Sequence, residues 1–222
     1  MPDRDRYIPA LGVRPLTPAY DLVVRLTTRE RDVKEALIDQ ARLGSGLKVL
    51  DLATGTGTLA IWMKQRQPAL DITAIDADAD ALAIARRKAK RAATKIDWEQ
   101  AVSDDLPFAT AYFDRVVSSL FFHHLTWQGK VQTAQEVFRV TKPGGELHVA
   151  DWGLPANRLM RGLHFGIQLL DGFESTRDNV TGKLVPLLEH AGFVEVVATR
   201  AFNTLFGTLW LYRGVKPGAR GG

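Results

Sequence analysis

Cysteine is absent from the 222 residues. That excludes disulfides, a thiolate metal site and a cysteine nucleophile together. Long apolar runs are absent as well, since no stretch approaches the ~20 apolar residues that cross a bilayer. The start, Met1-Pro2-Asp3-Arg4-Asp5-Arg6, has no apolar core of the kind a secretory signal carries. A cytoplasmic location is the expectation from these features. Neither sign of charge dominates: the net charge is +4, and much of the excess sits in Arg86-Arg87-Lys88-Ala89-Lys90-Arg91, followed by Lys95. Such a run is either a patch for nucleic acid or anionic membrane, or the solvated face of a helix. An apolar stripe of Ala81, Leu82, Ala85 and Ala89 supports the helix face. No aromatic residues interleave with the charges, as a platform for single strands requires, so nucleic acid is not the expected partner.

What the chain does have is an ordinary globular composition, 45% apolar and 24% charged. Its length suits one α/β domain with an insertion. Residues 1–18 hold Pro2, Pro9, Pro15 and Pro18 and read as an extended arm. Leu22, Val23, Leu26, Val33, Leu37 and Ile38 follow a helical rhythm over 19–42, broken near Thr27-Thr28. Short aliphatic runs then alternate with helical segments. Strands are expected at Leu47–Leu52, Asp71–Asp76, Ile96–Val102, Phe113–Leu120 and Glu146–Trp152, with closing strands at Phe193–Ala201 and Leu205–Arg213. The alternation predicts a doubly wound, mostly parallel seven-stranded sheet with an antiparallel closing strand. It breaks at 154–180, where Leu159, Met160, Leu163, His164, Ile167, Leu169 and Leu170 outline a helical lid. The expected organisation is an arm and cap helices over 1–46, a core over 47–213 and a disordered tail over 214–222.

The stretch that carries chemistry is Val49-Leu50-Asp51-Leu52-Ala53-Thr54-Gly55-Thr56-Gly57. A buried strand runs into Gly-Thr-Gly, and the helical composition of Thr58–Lys64 places those glycines at a strand-to-helix turn. In an open α/β sheet such a turn faces the ligand crevice. Gly55-Thr56-Gly57-Thr58-Leu59-Ala60 formally fits the dinucleotide pattern G-x-G-x-x-G/A, with Asp76 as a ribose-binding acid about twenty residues on. Asp51 argues otherwise. An acid inside the strand suits an α-ammonium group and would repel a pyrophosphate at the same helix N-terminus. A cap on the following helix is the alternative role for Asp51. Asp76 ends the second strand, where its carboxylate can accept two hydrogen bonds from a ribose diol. A helix N-cap is its alternative, for which Asp78 and Asp80 compete.

Taken with Leu106-Pro107-Phe108, Phe113-Asp114-Arg115-Val116 and Lys142-Pro143-Gly144-Gly145, this order resembles the class I S-adenosylmethionine (SAM) dependent methyltransferases. It is most similar to the small-molecule branch that contains the ubiquinone/menaquinone C-methyltransferases. The resemblance covers about 47–152 firmly and reaches 213 loosely. It implies SAM as cofactor, S-adenosylhomocysteine as product and in-line methyl transfer to O, N or C of a small, apolar, quinone-, aromatic- or lipid-like acceptor. It further implies that Asp51, Ala53, Thr54, Gly55 and Gly57 hold the methionine portion, Asp76 the ribose, and Ala77 the adenine. Val102 stands where many relatives carry an acid, so Ser103 and Asp104 are left as the adenine contacts. Ser118 and Ser119 would pass close to the sulfonium.

In-line transfer needs positioning above all, and a base only where the acceptor must lose a proton. His124 is the candidate base, because an ordinary imidazole titrates near neutrality. His123, Tyr20, Trp152, His164 and Phe165 are candidates for the acceptor pocket, with Asp151 a further polar group nearby. No metal site is expected, since adjacent histidines lack the i, i+4 spacing of a helical metal pair. Three other readings stay open: a catalytically silent SAM-binding protein, a nucleic-acid methyltransferase and a nicotinamide dehydrogenase.

Overall fold

A computed structural model describes residues 29–157, 160–161, 178, 181–205 and 207–218. The expected arm, the helix before Thr28, Tyr20, and the body of the expected lid with His164 and Phe165 lie outside the described residues. The elements are α1 (Glu30–Ala41), β1 (Lys48–Leu52), α2 (Thr58–Arg66), β2 (Asp71–Asp76), α3 (Ala79–Arg91), β3 (Asp97–Gln100), β4 (Phe113–Ser119), α4 (Trp127–Val140), β5 (Thr141–Trp152), α5 (Leu184–His190), β6 (Val194–Thr204) and β7 (Gly207–Val215).

The seven strands form one sheet in the order β3-β2-β1-β4-β5-β7-β6. β1 pairs in parallel with β2 and β4, and β4 with β5. β7 runs antiparallel between β5 and β6. The expected doubly wound sheet with one antiparallel strand is borne out. The order reverses at β1, so the carboxyl ends of β1 and β4 open a crevice at the switch point.

Alternation along β1 divides the core. Val49 packs with Val33 and Leu37 of α1 and Leu59 and Met63 of α2 on one face. Leu50 and Leu52 pack with Val137 of α4 and Leu184 and Leu188 of α5 on the other. Asp51 shares the parity of Val49 and so lies on the α1/α2 face. Helix α1 presents Val33, Ala36, Leu37 and Ala41 inward and carries Glu30 and Asp32 in its first turn, where acids complement the dipole.

A polar clamp fixes the far end of α1. Gln40 Nε2 donates to the Tyr212 carbonyl at 3.0 Å and meets His148 Nδ1 at 3.2 Å. His148 Nε2 lies 3.0 Å from Glu146, which also accepts from Arg213 at 2.7 Å. His148 and Arg213 together hold the Glu146 carboxyl well below its ordinary range, against the cost of burial.

The end of the chain differs from expectation. Gly214 and Val215 belong to β7, and the Lys216 N–H donates to the Gly145 carbonyl at 2.9 Å. The Lys216 ammonium donates to the Phe138 carbonyl at 2.7 Å. Expected disorder from 214 is therefore corrected as far as 218: pairing with the start of β5 orders residues whose composition reads as a loop.

Candidate functional site

The turn after β1 takes three residues into the left-handed backbone region. Ala53, Gly55 and Gly57 have φ of 56°, 55° and 76°. The Thr54 N–H reaches the Ile75 carbonyl at 2.8 Å, and the Gly57 N–H closes on Thr54 at 3.0 Å. The two glycines serve different ends. A Cβ on Gly57 would stand 2.5 Å from the Trp98 ring and 2.8 Å from Ala85, so Gly57 is required by packing as well as by its φ. A Cβ on Gly55 would meet nothing within 4 Å, and the open space in front of it is where a ligand can approach the backbone. Lys88 braces the turn from α3, donating to the hydroxyls of Thr56 at 3.1 Å and Thr58 at 2.6 Å. One member of the basic run thus points inward, while Arg86, Arg87, Lys90 and Arg91 are exposed.

Two carboxylates flank the turn. Asp51 is 1% exposed and accepts from the Thr54 hydroxyl at 2.6 Å. Burial pushes its pKa up to about 6, against the opposing pull of Thr54, Lys34 and the Ala60 N–H. Ala60 lies in the first turn of α2, so Asp51 faces both the ligand turn and that helix N-terminus. Asp76 ends β2 with one oxygen accepting from the Gly55 N–H at 2.7 Å and the other from the Asp78 N–H at 2.9 Å. Burial raises its pKa too, and the Asp78 and Gly55 N–H groups oppose that rise. The cap of α3 is Asp78, whose carboxylate accepts from Asp80 and Ala81. Asp76 is thereby left to the turn. Ala77 follows, its carbonyl accepting from Gln100 at 3.0 Å.

At the end of β4 the Ser118 hydroxyl donates to the Leu52 carbonyl at 3.1 Å. The Ser119 hydroxyl is buried without a hydrogen-bond partner among the described residues. Leu120 then turns with φ of 58° into a 3₁₀ segment, Phe122–His124. Asp151 clamps that segment to β5. It is fully buried, and it accepts from His123 Nδ1 at 2.7 Å, from the His123 N–H at 3.2 Å and from the Trp152 N–H at 2.7 Å. Burial works against the Asp151 charge, but His123 and these donors hold its pKa below the ordinary value. The His123 ring stands edge-on to Trp152 at 6.5 Å. His124 packs 3.9 Å from His123, and burial together with that neighbour lowers its pKa to about 3. The expectation of an imidazole titrating near neutrality at His124 is therefore corrected: it is neutral at pH 7.

The loop after β3 brings Ser103 to Thr133 of α4, 2.7 Å between hydroxyls, while Val102 is 50% exposed. Asp104 lies half-buried beside Ser103. Sequence reasoning did not single out Lys34, Lys88, Lys130 or Thr133. Lys88 carried a signal, since it follows Ala85 by three positions and so borders the apolar stripe of its helix. Lys130 is 1% exposed in α4, 3.9 Å from Asp178. No group of three or more metal-binding side chains exists among the described residues, and no helix among them is long and apolar enough to cross a membrane.

Comparison with known proteins agrees with this geometry. Residues 49–145 match a methyltransferase domain family. The chain is 34% identical over 142 residues to a demethylmenaquinone methyltransferase of Thermus thermophilus, covering 63% of this chain and 64% of the relative. It is 29% identical to a ubiquinone/menaquinone biosynthesis C-methyltransferase of Syntrophotalea carbinolica, with 95% and 96% of the two chains covered. A SAM-dependent methyltransferase structure from Methanosarcina mazei shares the fold with a TM-score of 0.66 and 20% identity, over 82% of this chain and 98% of that one. In sequence the chain is similar to the menaquinone and ubiquinone C-methyltransferases, spanning less than two thirds of the length of the Thermus relative, and it shares the fold of the class I SAM-dependent methyltransferases.

Proposed function

We propose that this protein transfers a methyl group from SAM to a small apolar acceptor of the quinone, aromatic or lipid-like class. The observation that carries the proposal is the pairing of open space before Gly55 with two acids, the buried Asp51 and the half-buried Asp76, on either side of it. These residues fit the cofactor. A buried carboxyl with a raised pKa is a site that gains from a cation, and the α-ammonium group of SAM is one. Asp76 has spare lone pairs for a ribose diol after accepting two backbone N–H groups. The unpartnered Ser119 hydroxyl at the end of β4 is a polar group still to be satisfied. When bound, SAM supplies an electrophilic methyl carbon on a sulfonium.

The chain's own contribution is placement. Asp51 and Thr54 orient the amino-acid end, and Asp76 with Ala77 orients the nucleoside. Val102, Ser103 and Asp104 line the adenine side. Ser118 fixes β4 to β1, so that Ser119 faces the crevice. Asp151 holds His123 by ring and backbone, which sets His124 at the mouth of the site. Neutral at pH 7, His124 accepts a hydrogen bond from an acceptor hydroxyl and steers it without holding a full proton. Trp152 supplies an apolar wall beside His123.

The deciding experiment is calorimetric titration with SAM, S-adenosylhomocysteine and NAD, followed by mass detection of methylated product from a demethylmenaquinol analogue. Binding of both sulfur ligands, no response to NAD and a product heavier by one methylene support the proposal. Binding of NAD alone refutes it.

A further inference from the structure

Helix α1 reaches from the base of the sheet to the rim of the crevice. Its C-terminal end is fixed low, where Arg115 near the start of β4 donates to the Ala41 carbonyl at 3.1 Å. Its N-terminal end is high. The Arg29 guanidinium lies 5.7 Å from the Phe202 ring, and Phe202 pairs through Leu209 with Trp152, the last residue of β5. Among the described residues four ion pairs involve this helix and its N-cap. Arg29–Asp32, Arg31–Glu35 and Arg66–Asp39 face water, with side chains between 48% and 80% exposed. The fourth, Lys34–Glu30, is turned inward, with only 14% and 13% exposed.

An i, i+4 pair gains little stability even when well formed, and withdrawing it from water costs desolvation. The inward turn of this one pair therefore calls for another role. Val33, beside Lys34, packs in the same cluster as Val49, and Asp51 stands two residues beyond Val49 on the same face and nearer the crevice. The Lys34 charge reaches Asp51, opposing the effect of burial on that carboxyl. The helix packed on the Asp51 face of β1 thus carries an inward cation, Lys34, whose field reaches the buried anion, with Glu30 as the cation's resting partner.

We propose that Lys34 receives the carboxylate of the amino-acid arm of SAM while Asp51 takes its ammonium group. The inference rests on the reading of SAM as cofactor. A zwitterion is recognised by a matching pair of opposite charges, and a lysine ammonium with three donors on a flexible stem can turn from Glu30 to the ligand. Lys34 is a binding residue in this scheme and takes no part in methyl transfer.

The test is calorimetric titration of wild type, Lys34→Met and Glu30→Gln with three ligands: S-adenosylhomocysteine, its decarboxylated analogue and methylthioadenosine. Lys34→Met weakens S-adenosylhomocysteine roughly 10- to 100-fold, the range for losing a charged hydrogen bond, and leaves the two ligands without a carboxylate unchanged. Glu30→Gln removes the competing acid, keeps Lys34 in place and tightens S-adenosylhomocysteine alone. Equal weakening of all three ligands by Lys34→Met, or no weakening of any, overturns the inference. Weakening of S-adenosylhomocysteine by Glu30→Gln does so as well. If wild type binds none of the three, the cofactor reading itself falls, an outcome distinct from both.

Discussion

Asp51 sits in the protein at a cost that can be measured. The carboxyl is 1% exposed, and burial lifts its pKa from 3.8 to about 6 despite Thr54, Lys34 and the Ala60 N–H. Below pH 3.8 folded and unfolded chains both carry the proton, and the group leaves stability unaffected. As pH rises towards 6 the unfolded chain ionises first and stability falls, and above 6 the whole loss is in place. A displacement of about two pH units corresponds to about 3 kcal/mol. Asp51→Asn keeps the shape and an oxygen for the Thr54 hydroxyl, and it removes the charge. At pH 7.5 the variant should therefore gain up to about 3 kcal/mol, a rise of roughly 6–12 °C in Tm for a domain of this size. At pH 4 the gain should nearly vanish. Scanning calorimetry of both proteins at the two pH values measures this, and titration with S-adenosylhomocysteine alongside should show the stabilised variant binding far more weakly. In wild type, affinity should fall as pH drops below about 6, because protonated Asp51 no longer meets the ligand ammonium. A variant less stable than wild type at pH 7.5, or shifted equally at both pH values, refutes the reasoning.

Three further outcomes separate folding from binding around the turn. Gly57→Ala drives a methyl group into Trp98 and Ala85 at a positive φ; chemical denaturation should show a loss of roughly 2–5 kcal/mol. Gly55→Ala meets no neighbour and should cost only about 1–2 kcal/mol of backbone strain, yet calorimetry should show S-adenosylhomocysteine binding abolished. Asp78→Ala removes the cap of α3 and should cost about 1 kcal/mol by thermal denaturation, with ligand affinity unchanged because Asp76 alone faces the turn.

The glycine turn was legible because its signal is local: an aliphatic strand, an acid, two glycines and a helix within twenty residues. The doubly wound, mostly parallel sheet followed from the same alternation, although the order of its strands did not. What escaped the sequence depends on contacts between distant segments. Asp151 meets His123 only because β4 and β5 are neighbours in register, so neither the clamp nor the lowered pKa of His124 could be read from an adjacent His-His pair. Asp76 and Asp78 compete for one cap in the sequence, and only the approach of the Gly55 N–H settles which is which. Glu30–Lys34 has the spacing of an ordinary solvated ion pair, and nothing in that spacing shows the pair turned inward. Gly214 sits in a tail of loop-forming composition, yet the neighbouring β5 supplies the partner that orders it.

The contact of Gly57 with Ala85 and Trp98 has a consequence for how this protein can change over generations. Three positions on three different elements share one small volume, so their histories are tied. A side chain can appear at 57 only in a lineage that has first shrunk the ring at 98, and a larger residue at 85 closes that path altogether. The order of substitutions, and not only their identity, is written into the space behind the second glycine.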